Sequence, residues 1–149
     1  MPLRSIALCC LLLTGLAAQA EETPIGYVKT VSGDASVTTG QHQVAAQLGT
    51  PLFLGSQLKT GHKGSLGVTF KDDTVMSFGP DTELTVDQYL YAPSQGKLKL
   101  AATIARGSLN YVSGVIAKLQ PDAVSVTTPT GTIGVRGTQF VLKVEDSAP

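Results

Sequence analysis

The apolar residues between Ala123 and Val144 change sides twice, and this constrains the fold more tightly than any other feature of the chain. They fall on even positions at Val124 and Val126, on odd positions at Ile133 and Val135, and on even positions again at Phe140, Leu142 and Val144. Side chains alternate faces along a strand, so each change of parity has to be absorbed by a turn, bend or bulge. Pro129 with Gly131, and Arg136 with Gly137, are the places the sequence offers. Glycine accepts the backbone angles of a bulge, and proline cannot donate to a central ladder. The stretch reads as cornered β-structure with one arginine held at a corner.

Short β-segments broken by glycine or proline run from Ile25 onward. Tyr27 to Val31 and Ala35 to Thr39 are extended pieces joined by Ser32-Gly33-Asp34, and Gln41 to Gln47 forms a hairpin tip with a short returning strand. Leu66, Val68 and Phe70 alternate with polar residues, Asp72-Asp73 makes a hairpin tip, and Met76 and Phe78 return on the same face. Leu84 to Val86, Tyr89 to Tyr91, Leu98 to Leu100 and Ala102 to Ile104 give further strands. Residues 101 to 119 also carry apolar residues at spacings of three and four, which would suit a long helix. Gly107 and Gly114 oppose it, each costing about 1 kcal/mol in a helix interior. The preferred reading is a strand from Ile104 to Val112, interrupted near Arg106-Gly107, then a short helix from Val115 to Leu119 stopped by Pro121. The expected fold is all-β: short strands in a solenoid-like or sandwich-like stack, with at most one short helix near 115–119.

The first twenty residues have another use. Arg4 precedes an apolar run from Ile6 to Leu13, and Ala18-Gln19-Ala20 is a small-residue cleavage site before polar Glu21-Glu22-Thr23. This is the pattern of a secretory signal peptide, residues 1–20, leaving one domain over 21–149. Cys9 and Cys10 are not placed for lipid attachment, because Leu11, Leu12 and Leu13 still follow them. Both cysteines leave with the leader, so the remaining domain has no thiol for a disulfide, a nucleophile or a metal site. The expected location is periplasmic or secreted. About 130 residues remain, enough for a real core. Their net charge is about −1 with no run of like charge, which argues against nucleic acid or an anionic membrane surface as partner. No second hydrophobic span follows the leader.

Chemistry-bearing sets are sparse. His42 and His62 are the only histidines, twenty residues apart in polar stretches, and read as solvated loop residues. Asp72-Asp73 and Asp81 with Glu83 lack the alternating oxygens of a calcium loop, and surface solubility explains them. Gly131, Gly134 and Gly137 are spaced by three, but no helix follows to make a phosphate cradle. No catalytic, cofactor-binding or metal residue is assigned, and the chain is not expected to be an enzyme. Arg136 has two readings: a guanidinium presented to an anionic ligand or partner, or one that pairs with backbone carbonyls or an internal carboxylate. The second is preferred. Arg136, Thr128, Pro129, Gly134, Gly137 and Thr138 form the candidate interaction or structural corner.

Three stretches carry a family likeness. They are Gly26 to Val37 (Gly-Tyr-Val-Lys-Thr-Val-Ser-Gly-Asp-Ala-Ser-Val), Leu52 to Thr60 with Ser65 to Thr74, and Thr128 to Phe140 (Thr-Pro-Thr-Gly-Thr-Ile-Gly-Val-Arg-Gly-Thr-Gln-Phe). The last is the specific one. With these the chain resembles the FecR-type domain, in a stand-alone secreted form. Asp-Gly usually stands at the hairpin tip of that family where this chain has Asp72-Asp73, which puts the turn type there in question. The resemblance implies an all-β, solenoid-like domain on the periplasmic side of a bacterial envelope that contacts another protein. The sigma-factor regulation of the iron-sensing members needs a cytoplasmic part and a retained span, so it is not carried over. The expected function is a non-enzymatic interaction or sensory accessory with an envelope protein as partner. The alternative is a binding module for an envelope polymer or a small anionic ligand.

Overall fold

The computed structural model describes residues 22–145; the expected signal peptide lies outside the described residues. Twelve strands form one sheet that curls as a half-barrel. In chain order they are β1 (Gly26–Ser32), β2 (Ala35–Thr39), β3 (His42–Ala45), β4 (Pro51–Leu52), β5 (Gln57–Thr60), β6 (Ser65–Phe70), β7 (Val75–Phe78), β8 (Glu83–Ala92), β9 (Lys97–Val112), β10 (Val124–Thr128), β11 (Gly131–Gly134) and β12 (Gln139–Val144). One α-helix, α1 (Val115–Leu119), stands among the described residues, and it is the short helix the sequence predicts. The chain is all-β in the way its periodicity requires.

The sheet has two halves that share β9. One half runs β4-β1-β6-β7-β9-β12, and the other runs β3-β2-β5-β8-β9-β10-β11. Every pairing is antiparallel except β9 with β10. The first part of β9 pairs with β8 and β10, the second part with β7 and β12. Its buried residues accordingly change from even (Leu100, Ala102, Ile104) to odd (Leu109, Tyr111). The parity break is absorbed at Ala105, which is skipped in the ladder between Glu83↔Arg106 and Leu84↔Ile104, and at Gly107 with φ +98°. The sequence reading placed an interruption at this point. The strand instead continues through it and bends. A second bulge, at Asp87 in β8, shifts burial from Leu84 and Val86 to Tyr89 and fuses two expected strands into one.

The corner is built from four crossings stacked side by side. Gly61 donates its N–H to the Asp34 carbonyl at 2.8 Å, Asp81 to Gly61 at 3.1 Å, and Gly79 to Ser108 at 3.3 Å. Buried Thr60 and Thr82 tie the crossings together: Thr60 Oγ1 donates to the Gly79 carbonyl at 2.6 Å and accepts from Thr82 N–H at 2.9 Å. Thr82 Oγ1 in turn accepts the Ser108 N–H at 3.0 Å. Such close approach of backbones leaves no room for side chains. A Cβ on Gly107 would collide with the Thr82 backbone and side chain. Inside the curl lies one continuous core, with Leu52, Leu58, Val68, Phe70, Met76, Leu84, Leu100, Ile104, Leu109, Tyr111 and Ile116 all but sealed from solvent.

Candidate functional site

The most elaborate polar arrangement sits at the β6–β7 turn. Asp72, read from sequence as a soluble hairpin tip, is completely buried, and that expectation is corrected. Its carboxylate accepts from Thr74 Oγ1 at 2.7 Å, Tyr89 Oη at 2.9 Å, Ile116 N–H at 3.1 Å and Thr74 N–H at 3.4 Å. Its own N–H donates to Tyr89 Oη at 3.0 Å, and its carbonyl accepts the Val115 N–H at 2.7 Å. The burial of a charge is thus met by convergent donors, two of them hydroxyls and two backbone N–H groups. One turn thereby caps the start of α1 and fixes β8. Asp73 takes φ +68°, a left-handed conformation that aspartate tolerates better than most residues.

Tyr89 stacks on Phe70 with ring centroids 5.4 Å apart. Burial raises its pKa above the ordinary tyrosine value, and the Asp72 charge raises it further. Burial also raises that of Tyr111, whose hydroxyl has Ser113 and Thr74 as neighbours but forms a hydrogen bond with neither. With Asp72 sealed under the turn and all its donors internal, the constellation is a structural clasp. It offers no open face to a substrate.

The run from Thr128 to Thr138 lies at the rim. Pro129-Thr130 is the two-residue turn of the β10–β11 hairpin, where Thr128 Oγ1 donates to the Gly131 carbonyl at 2.9 Å. Val135 is buried, and the following link carries the chain from one half of the sheet to the other. There Ser113 Oγ donates to the Gly137 carbonyl at 2.7 Å and Ser113 N–H to the Thr138 carbonyl at 2.8 Å. Arg136 is not enclosed by this frame. Its side chain is 88% exposed, and its ionic neighbour is an equally exposed Asp122 at 3.9 Å. The carboxylate beside Arg136 thus lies at the surface and not inside the fold, among the described residues no hydrogen bond joins the guanidinium to a carbonyl, and a pair so solvated adds little to stability. Gly134, Gly137 and Thr138 share its exposure.

His42 lies exposed on β3, and His62 stands 3.1 Å from Asp81 Oδ2 at the surface of the corner. Glu83 accepts from Gln57 Nε2 at 2.6 Å and lies 3.7 Å from Arg106 Nε. Among the described residues no three of His, Cys, Asp and Glu gather as a metal set, and no helix is long and apolar enough to cross a membrane. The sequence reading missed a cleft of about 460 Å³ where the β8–β9 hairpin projects. Leu54, Leu90 and Leu98 supply its apolar wall, and Lys97 and Lys99 are the charged residues lining it. Nothing at the level of motif marks it, because its residues are brought together by the projecting hairpin.

A family model described as FecR protein matches residues 56–149. No curated protein and no solved structure matches the chain. The match takes in the Asp72 clasp and the whole Thr128 to Phe140 run, while the opening Gly26 to Val37 segment lies outside it. Since it spans more than half of the sequence, the chain belongs to the FecR protein family.

Proposed function

We propose that this protein is a secreted, non-enzymatic FecR-type domain that acts by contacting another protein of the cell envelope. Membership of the FecR family is the observation that carries the reading. The leader-like residues 1–20 support a periplasmic or secreted location after cleavage near Ala20. The placement of the polar side chains agrees with it: the best-connected carboxylate, Asp72, is enclosed, whereas His42, His62 and Arg136 stand apart at the surface. Affinity capture on the tagged protein from its native envelope is expected to recover one reproducible protein partner. Recovery of none, under cross-linking as well, would count decisively against this function.

The alternative, a module for an envelope polymer or small anionic ligand, finds its support in the Lys97 and Lys99 cleft more than at Arg136. Arg136 already faces the opposite charge of Asp122, whereas the lining of the cleft carries positive charge only. Co-sedimentation with purified sacculi separates the two readings. Binding abolished by Lys97→Ala with Lys99→Ala, in a folded protein, would favour the polymer.

A further inference from the structure

We infer that β12 is a self-association edge, along which two copies of this chain pair antiparallel about a two-fold axis at Val141. This goes beyond the envelope-partner reading and does not depend on it.

A sheet edge offers unpaired backbone groups to any extended chain, and folded proteins ordinarily guard such edges with proline, charge, bulges or brevity. Among the described residues four strands of this sheet are paired on one side only, and three of them are guarded or short. β4 has two residues and begins with Pro51. β3 has four, with polar His42 and Gln43. β11 opens and closes on glycine. β12 is different: Gln-Phe-Val-Leu-Lys-Val is six residues long, regular in its register with β9, free of proline and glycine, and carries a single charge. On its outer face Val141 is 73% exposed, a β-branched side chain with no apolar cover. On its inner face Phe140 stacks on Tyr111 at 4.9 Å, and Leu142 and Val144 remain half-buried where the core reaches the edge.

The register decides which backbone groups are free. Gln139 lies opposite Val112, so Thr138 lies opposite Ser113, and the bond from Ser113 N–H to the Thr138 carbonyl makes that a hydrogen-bonded pair. Backbone groups alternate along a strand. Phe140, Leu142 and Val144 therefore direct theirs to β9, while Gln139, Val141 and Lys143 direct theirs to the open edge. Antiparallel pairing of two copies with Val141 opposite Val141 uses these three residues and no others as hydrogen-bonded partners. The same register sets Phe140 opposite Leu142 on the inner face and Gln139 opposite Lys143 on the outer face. Gln139 already donates its side-chain amide to Asn110 at 3.2 Å, which leaves its amide oxygen as acceptor for the lysine of the second copy. Apolar thus meets apolar, polar meets cation, and no like charges are opposed. This self-complementarity is what a two-fold interface requires, and it singles out a second copy over an unrelated strand.

Sedimentation velocity across a concentration series of the full chain tests the inference, with three variants. A concentration-dependent dimer is expected. Val141→Lys places two ammonium groups on the axis, and Val141→Pro removes an outward N–H that β9 does not use. Each is expected to weaken the dimer roughly tenfold or more. At concentrations where the parent is monomeric, their circular-dichroism spectra and melting are expected to match the parent's, because position 141 is solvent-facing. The Cα separation of a hydrogen-bonded antiparallel pair, about 5.5 Å, lies within disulfide range. Oxidised Val141→Cys is therefore expected to give, on peptide mapping, a link between two copies of the peptide containing position 141. A chain that stays monomeric, a dimer that both edge variants leave unchanged, or an edge found to take up only another protein's strand would each overturn the inference.

Discussion

Replacing Asp72 by Ala strands the Thr74 and Tyr89 hydroxyls and the Ile116 N–H in a dry site. Hydrogen bonds to a charged group are worth about 1.5–3 kcal/mol, and unmet buried donors add to the loss, so Asp72→Ala is expected to cost about 3 kcal/mol or more in urea unfolding. Tyr89→Phe removes one donor and one acceptor from the same clasp and is expected to cost about 1–2 kcal/mol. The opposite outcome belongs to Tyr111, whose buried hydroxyl is unpaired. Tyr111→Phe is expected to leave stability unchanged or to raise it by a few tenths of a kcal/mol, about 0.5 at most, because it deletes a desolvated polar atom and keeps the ring on Phe140. A thermal melt of each single variant is sufficient to rank them.

At the scale of elements, β9 matters most, because it belongs to both halves of the sheet and turns between them at Gly107. A methyl group there would meet Thr82 at a φ of +98°, which side-chain-bearing residues rarely adopt. Gly107→Ala is therefore expected to destabilise by about 3 kcal/mol, through strain and the displacement of Thr82. Gly134→Ala is the control. Nothing lies within 4 Å of the position a Cβ would take there, and its φ is not positive, so a loss under about 1 kcal/mol is expected. Comparable losses at both sites would show that the stacked corner is not what holds the halves together. The parity argument applied to residues 123–144 finds this element too, since Ile104 and Leu109 lie on opposite parities. What it does not reveal is whether the chain ends a strand at such a break or bends through it. That depends on β7 and β12 being present to receive the second half.

For the whole molecule, the two raised tyrosine pKa values set an alkaline limit. In the unfolded chain these hydroxyls ionise near pH 10, whereas in the folded protein burial, and for Tyr89 the Asp72 charge, keep them protonated to higher pH. Stability from this source is full below about pH 10 and declines as pH rises beyond it, because the unfolded state then loses protons that the folded state retains. Urea midpoints between pH 8 and 11 are expected to fall above pH 10, and to fall less steeply in a Tyr111→Phe background. A profile indifferent to that substitution would contradict the assignment.

The sequence by itself determined that this chain is all-β, favoured at most one short helix near 115–119 over a longer one, and showed in the Thr128 to Phe140 run the mark of a FecR-type domain. Those properties follow from side-chain alternation, glycine and proline positions and a contiguous motif, all local in the chain. Three features were decided only by tertiary structure. Asp72 is interior because Tyr89 and the start of α1, 17 and 44 residues away, converge on it. Arg136 is exposed because the link it occupies runs along the rim. The corner lies at 33–34, 61–64, 79–82 and 106–108, where four separate crossings stack, as well as at the later link that the parity of residues 123–144 pointed to. Burial and pairing of this kind depend on which distant strands become neighbours, and no local pattern encodes that choice.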